Sequence, residues 1–303
     1  MENENQIKNG SSVHIGVLVL SVAVASYIAY SAGQGAPKTG QTPQKESESA
    51  SFEIPMNWGD LGVKMISVGV IDPEKFESIY AQRGGLSPEE KQILYGSDNK
   101  SIKMTEENAG FLLNMLWALG LGNKNDILES GPMSKYGDVG NFASTGGWIL
   151  AKNDPMDHYS RHRLIMLTDD QQKLVERVSQ NIYRPCCDNA TNFPDCNHGM
   201  AMLGLLELLA ANGASEQTMY KAALRINQFW FPDQYATIAK YLQSKGKSIE
   251  SADPREILGR NYSSASGFRK IAALVPQTES RSSGGCGVDS GQPAAKPQQG
   301  CGI

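Results

Sequence analysis

The sequence has little basic charge and few histidines. Its 28 Lys and Arg residues are outnumbered by 32 Asp and Glu residues, which gives a net charge of −4, and there are four histidines in 303 residues. No run of Lys and Arg is interleaved with aromatic residues, as nucleic-acid-binding surfaces require. We therefore expect no nucleic-acid partner.

Nucleotide-binding and common catalytic motifs are missing as well. Gly146-Gly147 and Gly120-Leu-Gly122 lack the Lys-Ser/Thr pair and the third glycine that phosphate and dinucleotide loops require, so no nucleotide site is predicted. The motifs HExxH, GxSxG and CxxCH do not occur either, which disfavours hydrolase and haem functions. Whether the protein is an enzyme stays open, and a binding protein is favoured.

Charged residues are absent from one apolar segment near the N-terminus. Residues 13–32 contain no Asp, Glu, Lys or Arg and are long enough to span a bilayer. A cleaved secretory signal is the alternative, but Glu2 and Glu4 precede the segment against a single Lys8, and an acidic start is atypical of signal peptides. We interpret the segment as an uncleaved single-pass membrane anchor, with the main domain outside the cytoplasm.

Composition divides the rest of the sequence into four parts. A short polar N-terminus, residues 1–12, precedes the anchor, and residues 33–51 are predicted to be a flexible linker because they contain no Leu, Ile, Val or aromatic residue. Residues 52–275 have an ordinary globular composition and should form one domain. Residues 276–303 are rich in Gly, Pro and Ser and are predicted to be a disordered tail.

Apolar residues in the main domain recur at helical spacing. Five long helices are predicted, with N-caps or first residues Thr105, Thr168, Gly199, Ser215 and Pro232. Shorter helices should begin near Pro73 and Pro88. Strand signals are limited to residues 101–104 and 161–167. The sequence thus predicts a mainly α fold, a compact multi-helix domain with at most a small two-stranded β pairing.

The densest chemistry lies in the fifteen residues from Arg184 to His198, directly before an apolar helix. They hold three of the five cysteines and one of the four histidines. Pro185 and Pro194 prevent a continuous helix, and the intervening Asp188-Asn189 favours turns. We therefore expect a tight loop that folds back on itself and brings the sulfur atoms together.

Thiolates and imidazoles are ligands that soft transition metals prefer. The candidate metal ligands are Cys186, Cys187, Cys196 and His198, and copper or zinc is the candidate ion. Asn197 or Asp195 is the predicted N-cap of the following helix, which places Cys196 at a helix N-terminus. The helix dipole stabilises a thiolate there, and both a metal ligand and a reactive nucleophile need that thiolate.

Two other interpretations of these cysteines stay open. In a membrane-anchored thiol-disulfide oxidoreductase, Cys196 would attack and either Cys186 or Cys187 would resolve the mixed disulfide. In a structural interaction domain the loop would hold a disulfide, which the odd count of five cysteines disfavours. A metal-donor protein or a redox protein is the expected partner, beside the membrane itself.

The predicted tail carries the two remaining cysteines. Cys286 and Cys301 each stand between two glycines. A flexible chain of this length has a root-mean-square span of roughly 25 to 30 Å, so these thiols can return to the cysteine loop. We expect them to be mobile thiols that capture or pass on a metal ion, with pairing to each other as the alternative.

Two histidines outside the loop are weaker candidates. His158 and His162 are four residues apart, a spacing that places them on one face, with Asp154 and Asp157 nearby. They can complete a metal site or act as a general base. The neighbouring arginines favour a solvated segment instead.

Three residues of the apolar helix are further candidates. Glu207 is the lone charge there, so it is either a buried functional carboxylate or a residue at an exposed edge. Met200 and Met202 lie close to His198 in sequence and are conceivable Cu(I) ligands. Core packing is the commoner role of methionine in so apolar a helix.

Overall fold

The computed structural model describes residues 51–275. The predicted anchor, nearly all of the predicted linker and the predicted tail, with Cys286 and Cys301, lie outside the described residues. Within residues 51–275, no helix combines the length and the apolar character that crossing a membrane requires.

The described residues form a mainly helical fold with one two-stranded antiparallel sheet, which confirms the predicted fold class for this range. The α-helices, in chain order, are α1 (Leu61–Ser67), α2 (Pro73–Ser78), α3 (Pro88–Tyr95), α4 (Ala109–Gly122), α5 (Asp126–Ser130), α6 (Asp169–Ser179), α7 (Asn197–Ala211), α8 (Glu216–Trp230), α9 (Pro232–Ser244), α10 (Pro254–Leu258), α11 (Arg260–Ser263) and α12 (Ala265–Ala272). Short 3₁₀ turns occupy Ala81–Arg83, Met133–Lys135, Val139–Asn141 and Pro155–Asp157.

Strand β1, Phe52–Ile54, pairs with strand β2, Ile102–Met104. The second strand was predicted, but the prediction of a strand over residues 161–167 is wrong. That segment is a loop whose His162 forms an isolated bridge with Asn123 at the end of α4. The backbone N–H of His162 donates to the Gly122 carbonyl at 2.8 Å, and its carbonyl accepts from Lys124 at 2.7 Å, so the segment contributes one isolated bridge to the end of α4 and no strand.

Several helix starts follow the predicted local chemistry. The Thr168 hydroxyl accepts a hydrogen bond from the backbone N–H of Gln171, and the side-chain oxygen of Gln171 accepts one from the backbone N–H of Thr168. Ser215 caps α8. The predicted cap Thr105 is wrong, because α4 begins four residues later, after Asn108. The side-chain oxygen of Asn108 accepts from the backbone N–H of Thr105 at 2.9 Å, which holds the intervening residues in a turn instead of a helix.

Helices α4 and α7 form the centre of the hydrophobic core. Both sequences are apolar nearly all round, and all but one residue of each helix is buried. The two helices approach most closely at glycines. A Cβ atom on Gly204 would lie 2.4 Å from the Leu116 carbonyl oxygen, and one on Gly120 would lie 2.1 Å from the Met200 carbonyl oxygen. Gly120 and Gly204 therefore allow the two helix backbones to approach closely, and the core around this contact holds the start of α7 in place.

Gly204→Ala tests this crossing by the sign of its effect on stability. In an ordinary helix interior the substitution stabilises by about 0.5–1 kcal/mol. Here the added methyl group forces α4 and α7 apart, and overpacking of a core typically costs about 1–3 kcal/mol. We expect a lower urea midpoint and a lower melting temperature than in the wild type, and a raised midpoint would contradict the close approach.

Candidate metal centre

The three cysteines among the predicted metal ligands lie in the loop between α6 and α7, and His198 lies in the first turn of α7. Several hydrogen bonds tie the loop to its surroundings. The N–H of Thr191 donates to the Ile182 carbonyl at 2.9 Å and closes the loop on itself. The Cys187 carbonyl accepts from the N–H of Ala265, the first residue of α12, also at 2.9 Å. Asp188 extends this attachment, since its carboxylate accepts from the Ser266 N–H at 2.7 Å. The cysteines are thus held on a fixed backbone.

The fold brings the three sulfur atoms of the loop into contact. The Sγ atom of Cys186 lies 3.6 Å from that of Cys196 and 3.5 Å from that of Cys187. The cysteines of the described range are all free thiols, so the structure contains no disulfide there. Two sulfurs bound to one tetrahedral zinc ion at about 2.3 Å lie about 3.8 Å apart. A shared ion therefore requires only a small movement of these side chains.

Two overlapping groups of ligand atoms can hold a metal ion. In the first, Cys186, Cys196 and His198 place one ligand atom each within 4.8 Å of one another, and in the second Cys187, Asp195 and Cys196 do the same. Cys196 belongs to both groups. The structure thus assembles all four predicted ligands in one cluster that can bind a metal, and it adds Asp195, which the sequence analysis considered only as a helix cap.

Cys196 is itself the N-cap of α7, so the prediction of Asn197 or Asp195 as the cap is wrong. Its backbone is extended, with φ −121° and ψ 163°, and its carbonyl accepts the first helical hydrogen bond from Met200 at 3.0 Å. The prediction that the Cys196 thiol stands at a helix N-terminus is confirmed. Its side chain is 1% exposed, so the sulfur is screened from solvent.

Arg184 holds the cluster together, although the sequence analysis did not select it as a functional residue. Its side chain is 1% exposed, its Nε lies 3.2 Å from the Cys196 sulfur, and one Nη forms an ion pair of 2.5 Å with Asp195. The guanidinium also donates to the carbonyl oxygens of Asn189 and Phe193. The signal in the sequence was weak, because a single arginine at the edge of a loop is usually exposed.

Gly199 makes room for this arginine. A Cβ atom at this position in the first turn of α7 would lie 2.4 Å from a terminal nitrogen of Arg184 and 2.6 Å from its guanidinium carbon. The guanidinium therefore lies against the bare backbone of the helix, where a side chain would displace it. The cluster therefore requires a glycine at position 199, because any side chain there would occupy the space of the Arg184 guanidinium.

The electrostatics of the cluster favour one thiolate and two thiols. Burial opposes ionisation of Cys196, but hydrogen bonds from the Cys186 and Cys187 thiols lower its pKa well below the usual value. The Arg184 charge and a hydrogen bond with His198 lower that pKa further. The pKa of Cys186 is raised instead, by its hydrogen bonds to the other two sulfurs and by burial. Cys196 is therefore the ligand already prepared to meet a cation.

His198 brings an imidazole to the same cluster. It is 8% exposed and lies against the rings of Phe231 and Trp230, with ring centroids 4.5 Å and 5.8 Å away. Its Nδ1 is buried and has no hydrogen-bond partner among the described residues. A buried polar atom without a partner is unfavourable. A metal ion coordinated by the ring would give this nitrogen a partner, so its burial favours a ligand role for His198.

The other histidine pair is separate from these groups. Nδ1 of His158 and Nε2 of His162 lie 3.0 Å apart, so the two rings are hydrogen-bonded to each other. Within residues 51–275, neither group of three ligand atoms includes them. The prediction of a solvated segment is wrong for His158, which is 6% exposed, and burial lowers the pKa of both rings. Asp154 caps the adjacent turn by accepting from the Met156 N–H.

The remaining candidates of α7 are in the core. Glu207 is fully buried, so the exposed-edge alternative is wrong. The side-chain amides of Asn123 and Asn125 donate to its two oxygens at 3.0 Å and 2.5 Å, yet burial still raises the pKa of Glu207 to about 8. Met200 and Met202 are buried among the core residues, where packing accounts for both.

Comparisons of the chain with protein-family models, curated proteins and solved structures found no match.

Proposed function

We propose that the protein binds a soft transition metal, copper or zinc, through Cys186, Cys187, Cys196 and His198. The supporting observation is the meeting of three sulfur atoms and one imidazole in a single cluster, in groups whose ligand atoms lie within 4.8 Å of one another. Thiolate and imidazole ligands select copper and zinc over hard cations such as Mg²⁺ and Ca²⁺, which prefer oxygen. Asp195, the nearby oxygen ligand, is already paired with Arg184.

The membrane anchor and the tail complete the proposal on grounds of sequence composition. We propose that residues 13–32 tether the protein to a membrane with the domain outside the cytoplasm, and that Cys286 and Cys301 capture or pass on the ion. Support for the reach of the tail comes from α12, which begins at Ala265, beside Cys187. That helix ends at Ala272, about 10 Å along its axis, and the described residues end at Val275, whereas the eleven residues from Val275 to Cys286 can extend over about 36 Å.

Metal analysis of the purified full chain tests the proposal. We expect wild-type protein, prepared under reducing conditions and dialysed against zinc or Cu(I), to retain about one tightly bound ion per chain by mass spectrometry of the elements. Cys196→Ser should lose that ion, because Cys196 belongs to both groups of ligand atoms.

A double variant, Cys286→Ser with Cys301→Ser, is the matched control, since it removes two thiols, against one in Cys196→Ser, without changing any of the four proposed ligands. It should keep the tightly bound ion. Wild-type protein that is free of metal and takes up neither ion would overturn the proposal, as would a Cys196→Ser variant that binds as tightly as the wild type.

Thiol-disulfide exchange is the second candidate function, and the 3.6 Å separation of the Cys186 and Cys196 sulfurs favours it. In this reaction the Cys196 thiolate attacks a disulfide of a partner protein, whose other sulfur leaves as a thiolate. Cys186 then attacks the mixed disulfide, so two thiols of this chain are oxidised to one disulfide and the partner's disulfide is reduced to two thiols. Incubation with glutathione disulfide, followed by peptide mass mapping, should reveal a reversible Cys186–Cys196 disulfide if this is the function.

A further inference from the structure

We infer that the same cluster binds trivalent arsenic through three sulfur atoms, those of Cys186, Cys187 and Cys196. The inference rests on the proposed function in that it uses the same thiols, and it names a different class of ligand, arsenite and its mono-organic derivatives. Such a ligand does not need His198.

The separations of the sulfur atoms carry the inference. Trivalent arsenic binds three thiolates as a pyramid with a lone pair at its apex, and the angles at arsenic are smaller than tetrahedral. With bonds of about 2.3 Å, tetrahedral angles hold two sulfurs about 3.8 Å apart, and a linear two-sulfur complex holds them about 4.6 Å apart. The Cys186–Cys187 and Cys186–Cys196 separations of 3.5 Å and 3.6 Å are shorter than both, and the Cys187 and Cys196 sulfurs lie within 4.8 Å of each other, so a pyramidal complex requires only a small movement of these side chains.

The three sulfurs are also held in place before any ligand arrives. Cys186 and Cys187 are adjacent in the chain, and the backbone of Cys187 forms hydrogen bonds with the backbones of both Arg184 and Ala265. Cys196 is fixed as the N-cap of α7, within reach of both. Little conformational freedom is left to lose on binding, so a three-thiol chelate is favoured over binding to separate thiols.

Burial favours a complex without charge. Cys196 is 1% exposed and Cys187 is 8% exposed, whereas Cys186 is partly exposed and provides access. Three thiolates around As(III) give a neutral complex, while three thiolates around Zn²⁺ leave one negative charge. The cation beside the sulfurs, Arg184, is already paired with Asp195. A neutral complex therefore avoids the penalty of burying a negative charge that must share its counter-ion with Asp195.

The binding reaction balances without any oxidant or reductant. Arsenous acid, As(OH)₃, reacts with three thiols to form three As–S bonds, and its three As–O bonds break. The hydroxyl groups leave with the thiol protons as three water molecules, and arsenic stays trivalent.

Thiol protection in the full wild-type chain tests the inference without any substitution. The reduced protein has five cysteines, and an alkylating reagent should modify all five after mild unfolding. When sodium arsenite is added under native conditions before the same mild unfolding and alkylation, we expect the three cluster thiols to be protected and the two tail thiols to react. Native mass spectrometry should find one arsenic atom per chain. Five reactive thiols, or arsenic held by Cys286 and Cys301 instead, would overturn the inference.

His198→Gln separates this inference from the proposed function. The variant should bind arsenite within about threefold of the wild type, while its zinc affinity should fall by more than about tenfold, which even the loss of an outer-shell partner can cause. Binding of zinc without binding of arsenite would overturn the arsenic site and leave the proposed function standing. Binding of arsenite without binding of zinc or copper would overturn the proposed function and leave the arsenic site standing. Equal loss of both ligands in His198→Gln would show that three sulfurs alone do not suffice.

Discussion

Replacement of Arg184 by methionine is expected to lower the free energy of unfolding by about 3–5 kcal/mol, the usual effect of removing one partner of a buried ion pair. The side chain is 1% exposed, and its partner Asp195 is 21% exposed. Methionine fills similar space but donates no hydrogen bond. It removes the guanidinium donors from the Asp195 carboxylate, two backbone carbonyls and the Cys196 thiolate. Urea unfolding followed by circular dichroism measures the loss.

Two companion variants show whether the effect belongs to the cluster. Arg184→Lys keeps the charge but not the planar fork of donors, so its stability should fall between wild type and Arg184→Met. Arg177→Met removes the ion pair with Glu216 at a site where the arginine side chain is 56% exposed, and it should cost less than about 1 kcal/mol. If Arg184→Met were as mild as Arg177→Met, the guanidinium would not hold the loop.

Arg184→Met should also raise the pKa of the Cys196 thiol, because the Arg184 charge is among the causes that lower this pKa. Thiolate absorbance followed against pH measures this shift in the folded protein. A change in stability without a change in the thiol titration would indicate that Arg184 acts on the loop backbone alone.

Local chemistry was sufficient to predict where the cluster lies. Proline at positions 185 and 194 and the turn-forming residues between them determine the conformation of the loop within a few residues of the cysteines themselves. The apolar character of α7 likewise predicted a buried helix whose first turn begins at the last cysteine. No distant part of the chain has to be known for either inference.

The burial of Arg184 could not be predicted, although its partners are near in sequence. It requires a glycine in the first turn of α7 and carbonyl groups from across the loop, which meet the guanidinium only when the loop is folded. The partner of β2 was missed because it lies far away in the sequence. Phe52–Ile54 is a strand of three residues at the edge of the predicted linker, and about fifty residues separate it from its partner. Pairing over that distance leaves little trace in a pattern of single residues.

Glu207 shows the same limit within one helix. Since α7 is apolar nearly all round, its pattern gives no exposed face on which to place a charge. The partners that accept it into the core, Asn123 and Asn125, come from the end of α4 and the turn after it, more than eighty residues away. The sequence alone therefore cannot show whether a lone carboxylate in an apolar helix is buried or exposed. The tertiary structure determines this.

Glu207 is expected to make the protein less stable as the pH rises from about 5 to about 8. Its pKa in the folded protein is about 8, against an ordinary value of 4.5. Below the lower value the carboxyl is protonated in both states, and stability from this group is fully present. Between the two values the unfolded chain releases a proton that the folded chain keeps, so stability falls by about 1.4 kcal/mol per pH unit. The total is on the order of 5 kcal/mol, complete near pH 8.

Glu207→Gln isolates this effect, because glutamine stays neutral over the whole range. The difference in unfolding free energy between variant and wild type should move in favour of the variant as the pH rises through this window. Differences are needed because His158 and His162, whose pKa values burial lowers, change stability with the opposite sign and are the same in both proteins. Parallel stability curves from pH 5 to pH 8 would show that the two amides hold Glu207 ionised in the folded core, and that burial does not govern its charge.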